Sequence, residues 1–211
     1  MATPARNSMR RYGGVAIVLH WGMAILLITL VAIGLYMTRL PDVGYDQVKI
    51  RLIIYHKELG ILALGLAMVR FAWRFGNELP SLVSGMPEWQ MVAARFVHLC
   101  FYALMFALPI TGWLMSSAAG FPVPFFGLFY LPDLIGYNEH RFQVLLQVHK
   151  VLGYALIPFI CVHAGAALRH HFLSRDDTLR KMLPAQPSWP TSSPAPSPSP
   201  LAPTSNGGTR P

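Results

Sequence analysis

The sequence predicts an all-α integral membrane protein, a four-helix bundle with both termini in the cytoplasm. Three observations carry this. The 211 residues are 54% hydrophobic and only 12% charged, whereas soluble domains average about 25% charged, so there are too few charges to coat a globule. The apolar residues gather into four segments, each near the roughly 20 residues a helix needs to cross a hydrocarbon core about 30 Å thick. The lysines and arginines are also unequally divided between the two sides of those segments. A soluble enzyme and a largely disordered chain both fit this composition poorly.

The first segment, Val15–Thr38, carries no charge. It is longer than the apolar part of a signal peptide and no small-residue cleavage pattern follows it, so it is expected to be a retained helix. The second, Leu52–Val69, is interrupted by Lys57 and Glu58 near its start, which leaves 11 uncharged residues from Leu59. Alone it would suit a buried soluble helix; beside three clear spans it reads as a span with a polar entrance. Glu58 is expected to pair with Lys57 or to be solvated, rather than to relay protons. Phe96–Ala119 is uncharged, and Phe142–Leu168 carries only Lys150. The connection Phe121–His140, rich in Phe, Tyr and Pro, suits the outer membrane interface, where aromatic rings anchor.

Arg6, Arg10 and Arg11 precede the first span, Arg70, Arg74 and Arg95 flank the second connection, and Arg169, Arg175, Arg180, Lys181 and Arg210 follow the fourth span. These eleven basic residues lie on one side and the remaining six on the other. The bias predicts cytoplasmic termini. It also accounts for the net charge of +8 as a topology signal, so no nucleic-acid partner is expected. Nine of the 18 prolines fall between Pro184 and Pro211, a stretch too poor in apolar material to offset chain entropy. The expected organisation is a cytoplasmic segment 1–14, a membrane domain 15–183 and a disordered Pro/Ser-rich tail 184–211.

Five of the 8 histidines fall inside the spans, where an ionisable group is costly and a functional candidate. His20, His98 and His163 lie toward the cytoplasm; His56 and His149 lie toward the outside. His140, His170 and His171 sit at or beyond the ends. His149 and His163 are 14 residues apart, two heptads, so one helix presents both on nearly one face, about 21 Å apart along its axis. His56 can meet His149 at the outer level; His20 or His98 can meet His163 at the inner one. Two bis-histidine pairs suit two haems, each iron taking two axial ligands.

The residue four positions on shares a helix face. After His20, His56, His149 and His163 it is Ala24, Gly60, Gly153 and Ala167, all small enough for a flat macrocycle to lie against. After His98 it is Tyr102, which would crowd that space. His20 with His163 and His56 with His149 are therefore the favoured metal ligands, with Gly60 and Gly153 at the cofactor and His98 beside the site or touching a propionate. Against this stands simple helix packing, which also uses histidines and small residues. Zinc would usually want a tighter cluster with Cys or carboxylate. No Cys-x-x-Cys-His occurs, which excludes covalent c-type attachment. Cys100 and Cys161 read as small buried hydrophobes.

Taken in order, the motifs resemble the bacterial cytochrome b561 family, which is itself similar to the cytochrome b subunits of nickel–iron hydrogenases and formate dehydrogenases. They are His20-Trp21, His56-x-x-x-Gly60 with Arg70, His98, Ala107-Leu108-Pro109-Ile110-Thr111-Gly112, His149-x-x-x-Gly153-Tyr154, His163, His170-His171, Asp177-Thr178-Leu179 and Met182-Leu183-Pro184. The resemblance covers about Met9–Pro184. It implies a bundle in the bacterial inner membrane holding two non-covalent haems b, with the same four ligands, and electron exchange with a quinone. Some family members oxidise superoxide at the outer face and reduce ubiquinone. Arg70 and Arg74 are then propionate candidates inside, and Arg51, Lys57, Arg141 and Lys150 outside. The outer set with His140 could form a positive funnel for a small anion such as superoxide. Two other roles fit the same sequence: the anchor of a dehydrogenase or hydrogenase partner protein passing electrons to quinone, and a haem-free structural or assembly protein.

Overall fold

The computed structural model describes residues 4–9, 11–41, 47–81 and 86–184. It contains four long helices, α1 (Gly14–Met37), α2 (Gln47–Phe75), α3 (Glu88–Ala118) and α4 (Glu139–Arg169), with a two-stranded antiparallel hairpin, β1 (Val123–Phe125) and β2 (Phe129–Leu131), between α3 and α4. All four helices are long and apolar enough to cross a membrane. α2 and α3 run well past the apolar segments that mark them, because hydropathy detects only the part in hydrocarbon and not the polar turns beyond it. The tail expected to be disordered lies, from residue 185 on, outside the described residues, as does Arg10.

The helices pack in sequence order, α1 on α2, α2 on α3 and α3 on α4. The apolar core is small and central, built from Met23, Leu26, Ala63, Ala67 and Met105. Ala63 and Ala67, one turn apart on α2, let neighbouring backbones approach, as small residues do in membranes. Most other large apolar side chains point outward, which costs nothing where the surroundings are lipid. Among the described residues α4 packs closely on α3 and not on α1 or α2. The side chains reaching across that gap include histidines.

Both ends of the bundle are tied by specific bonds. At one end, Ser117 Oγ accepts from the Leu134 amide at 3.2 Å and the Asn138 amide donates to the Ala118 carbonyl at 2.9 Å, which binds the hairpin connection to the end of α3. The Asn138 side chain then caps α4 through the Arg141 amide. The interfacial aromatic segment expected here is thus a folded hairpin, with Phe126 and Gly127 both at positive φ in its turn.

At the other end, Arg11 donates to the Leu183 carbonyl at 2.7 Å, Trp21 Nε1 to the Met182 carbonyl at 2.8 Å and Lys181 to the Ser81 carbonyl at 2.7 Å. These bonds knot the N-terminal segment, the α2–α3 connection and the C-terminal turn together. A π-helical turn, His170–Ser174, leads out of α4 and closes with His170 Nδ1 donating to Asp176 Oδ2 at 2.5 Å.

Candidate functional site

α4 turns one stripe inward: His149, Gly153, Leu156, Ile160, His163 and Ala167 are all at least partly covered, while Val151, Tyr154 and Val162 face out. The stripe follows from the 3.6-residue period, and it aims both histidines of α4 across the gap toward α1 and α2. At the hairpin end the rings of His56 and His149 have centroids 6.1 Å apart. At the terminal end His20 and His163 are 6.0 Å apart. A metal–imidazole bond is about 2.0–2.1 Å, so two imidazoles opposed on one metal hold their ring centres roughly 6 Å apart. Both favoured pairs have that separation.

A cavity of about 190 Å³ opens at the hairpin end, lined by His56, His149, Gly34, Gly60, Gly112, Gly153 and the stems of Lys57 and Lys150. Its four glycines do two different jobs. A Cβ on Gly60 or Gly153 would meet nothing within 4 Å, so these two face open space. A Cβ on Gly112 would come within 3.2 Å of His149 Cε1, and one on Gly34 within 3.4 Å of His56 Cε1. The first pair leaves room beside the rings; the second lets each ring lie against a helix backbone. Facing imidazoles, apolar walls and unfilled space above two glycines fit a flat, non-covalently held haem.

The ring nitrogens are held differently at the two ends. His149 Nδ1 lies 3.1 Å from Thr111 Oγ1, and that hydroxyl in turn donates to the Leu108 carbonyl at 2.9 Å. His56 Nδ1 is buried and has no hydrogen-bond partner among the described residues. At the terminal end Arg70 Nη2 stands 3.2 Å from His20 Nδ1. His98 lies there too, 5.5 Å from His163 and so closer to it than His20 is. The Tyr102 ring, one turn on from His98, is occupied by Phe71 and by Arg74, whose guanidinium sits 5.6 Å above it.

Tyr12 is half-buried near these arginines; desolvation pushes its phenol above the ordinary value, although Arg74 and Arg70 pull the other way. Among the described residues neither Arg70 nor Arg74 has a carboxylate partner.

Two sequence readings need correction. Glu58 is neither solvated nor paired with Lys57: it is 6% exposed, and its Oε1 accepts the Phe126 amide at 3.0 Å. Lys57 instead lies over the Phe121 ring, 5.7 Å from its centroid. The reason is the hairpin, which folds over α2 and supplies a backbone donor that helix periodicity could not reveal. Cys161 faces outward rather than into the bundle, while Cys100 is half-buried and both are free. Thr111 and Gly112 were visible only as part of a motif; their contact with His149 follows from the packing of α3 on α4.

Four spanning helices with histidines converging between them at both ends describe a membrane-bound electron carrier. The sequence profile of the prokaryotic cytochrome b561 family matches residues 11–185. Cytochrome b561 homolog 2 of Escherichia coli K12 is 33% identical over 177 residues, which is 84% of this chain and 93% of that protein. Cytochrome b561 homolog 1 of the same strain is 29% identical over 83% of this chain and 98% of that protein. A Yersinia pestis protein named "Probable superoxide oxidase CybB" is 28% identical over 83% of this chain and 97% of its own length. The chain belongs to the prokaryotic cytochrome b561 family, whose work is membrane electron transfer with b-type haem.

Proposed function

We propose that the domain 15–183 carries electrons across the bacterial inner membrane through two haems b, one held by His56 and His149 and the other by His20 and His163. The observation that carries this reading is the pair of ring separations, 6.1 and 6.0 Å, at opposite ends of one bundle. Each bound haem would supply reversible one-electron chemistry at its iron. The chain's own residues do the rest. The histidines hold the metal from both sides, Gly60 and Gly153 keep the face clear, and the apolar walls exclude water.

The excess of basic residues at the terminal end favours a cytoplasmic location for it, which puts the hairpin end outside. His98 is kept as a neighbour of the inner pair, because Tyr102, one turn on, would crowd the space a macrocycle needs on its side. Arg70 and Arg74 are then the cationic partners for the propionates of the inner haem.

Quinone is the proposed exchange partner, since an electron carrier buried in lipid meets lipid-soluble acceptors. At the outer face the donor we favour is superoxide, in line with the name of the Yersinia relative. Lys57 and Lys150 at the cavity, with Arg51, Arg141 and His140 nearby in sequence, would give the positive field that raises the on-rate of a small anion.

Haem-to-protein ratio and redox titration test the whole reading. Two haems and two potentials are expected, with His56→Ala or His149→Ala losing one haem and His20→Ala or His163→Ala the other. Loss of a haem in His98→Ala with both kept in His20→Ala would reassign the inner ligand. Haem reduction by superoxide should slow with ionic strength; a rate indifferent to salt sinks the steering.

A further inference from the structure

We propose that Thr111 is a positioning residue for His149, fixing which ring nitrogen carries the proton and so which one faces the cavity. The proposal rests on the reading of His149 as a haem ligand. A threonine hydroxyl has one hydrogen to give and lone pairs to accept with. In Thr111 that hydrogen goes to the Leu108 carbonyl, 2.9 Å away. The same oxygen is 3.1 Å from His149 Nδ1, so the bond between them is donated by the ring. An oxygen without a spare proton therefore faces Nδ1 and holds the hydrogen there. A neutral imidazole with its proton on Nδ1 has its lone pair on Nε2, the atom left for a metal.

The local sequence builds this cradle. Pro109 removes an amide from the middle of α3, and Thr111 and Gly112 follow within the next turn. Gly112 lets the ring lie against the backbone, its Cβ position being 3.2 Å from His149 Cε1, while Thr111 supplies the polar contact beside it. His20 is in the opposite situation, because its Nδ1 faces a guanidinium that can only donate. Thus, among the described residues, only the hairpin-end pair has a ligand already set in the metal-binding tautomer by a neutral side chain. A hydrogen bond accepted from Nδ1–H also makes the imidazole more electron-rich, which favours ferric over ferrous iron.

The test compares Thr111→Val, which keeps the shape and loses the hydroxyl, with Thr111→Ser, which keeps the hydroxyl. Each is purified with haem and followed by redox titration and by the low-spin ferric electron paramagnetic resonance signal. In Thr111→Val the potential of the haem that His149→Ala removes should rise. A tenfold shift in the ferric–ferrous equilibrium is expected, about 59 mV for one electron. The other potential should stay in place, and Thr111→Ser should match the unsubstituted protein. Loss of that haem in Thr111→Val with retention in Thr111→Ser supports the proposal equally.

A Thr111→Val potential within twofold of the unsubstituted equilibrium overturns it, as does Thr111→Ser shifting as far as Thr111→Val. If His149→Ala keeps the full haem content, the ligand reading itself has failed, and the proposal falls with it for a reason the titration separates from the others.

Discussion

Arg70 donates to Nδ1 of His20 across 3.2 Å, from α2 to α1. A ring nitrogen that accepts a hydrogen bond carries no proton, so the neutral His20 ring keeps its proton on Nε2. For Nε2 to bind a metal the proton has to move to Nδ1, and Arg70 has to turn away from it. The guanidinium then needs a new acceptor, and among the described residues no carboxylate stands there. Arg70→Met is therefore expected to lower the potential of the haem proposed at His20 and His163 and to leave that of the one proposed at His56 and His149 unchanged. A unit charge about 8 Å away at an effective dielectric of about 20 is worth about 2 kcal/mol, more than tenfold in the ferric–ferrous equilibrium. Redox titration with each haem identified by its histidine variant reads this directly.

Gly153 separates haem binding from folding. A side chain there meets open space in the protein alone, so Gly153→Val should insert and fold as the unsubstituted chain does. The added methyls would occupy the space beside His149, and haem content should fall by about half. Normal yield and thermal stability in detergent with a halved Soret absorbance is the expected result; full absorbance would show that the open space is not the haem's.

Glu58 fastens the hairpin. Its carboxylate accepts the amide of Phe126, a residue held at a φ of 50° that side-chain-bearing residues seldom adopt. A hydrogen bond to a charged group contributes about 1.5–3 kcal/mol. Glu58→Leu should therefore speed amide exchange at Phe126 by roughly ten- to more than a hundredfold, with the centres of α1 and α3 unaffected. Unchanged exchange at Phe126 would mean that the hairpin is held by its aromatic contacts alone.

Asp176 gives the terminal end a pH dependence. Burial by itself would raise its pKa, but the neighbouring Thr178 hydroxyl, the bond from the Thr178 amide and the bond from His170 outweigh that and hold the carboxyl below the usual aspartate value of 3.8. A depressed folded-state pKa means the contribution is present above the unfolded value and disappears as pH falls through the folded one. Asp176→Asn should loosen the C-terminal turn near neutral pH, seen as faster exchange of the Thr178 amide, which donates to Asp176 Oδ1 at 2.9 Å. Acidification of the unsubstituted protein below pH 3.8 should move it toward the same state.

The four helices and the histidine pairs were legible because both depend on period. Apolar length marks a span, and a 14-residue spacing on α4 puts His149 and His163 on one face whatever they pack against. The small residues after His56 and His149 were legible for the same reason, and both face open space. What escaped depends on contacts between elements distant in the chain. Glu58 meets a backbone amide 68 positions away. Thr111 finds His149 only once α3 lies along α4, and Arg70 finds His20 only once α2 lies along α1. The hairpin was hidden by its brevity, three residues in each strand, and by aromatic content that an interfacial loop would share.

Because His149 and His163 ride on one continuous helix, their separation is set by covalent chain length rather than by packing. A single residue inserted between them would turn one ring about 100° away from the other, and no repacking of neighbours could recover both pairs. Seven inserted residues would restore the facing but push the two levels about 10 Å further apart, a third of the hydrocarbon thickness. The stretch from 149 to 163 should therefore accept many substitutions yet refuse changes of length, whereas the connections at the bundle ends are free of that constraint.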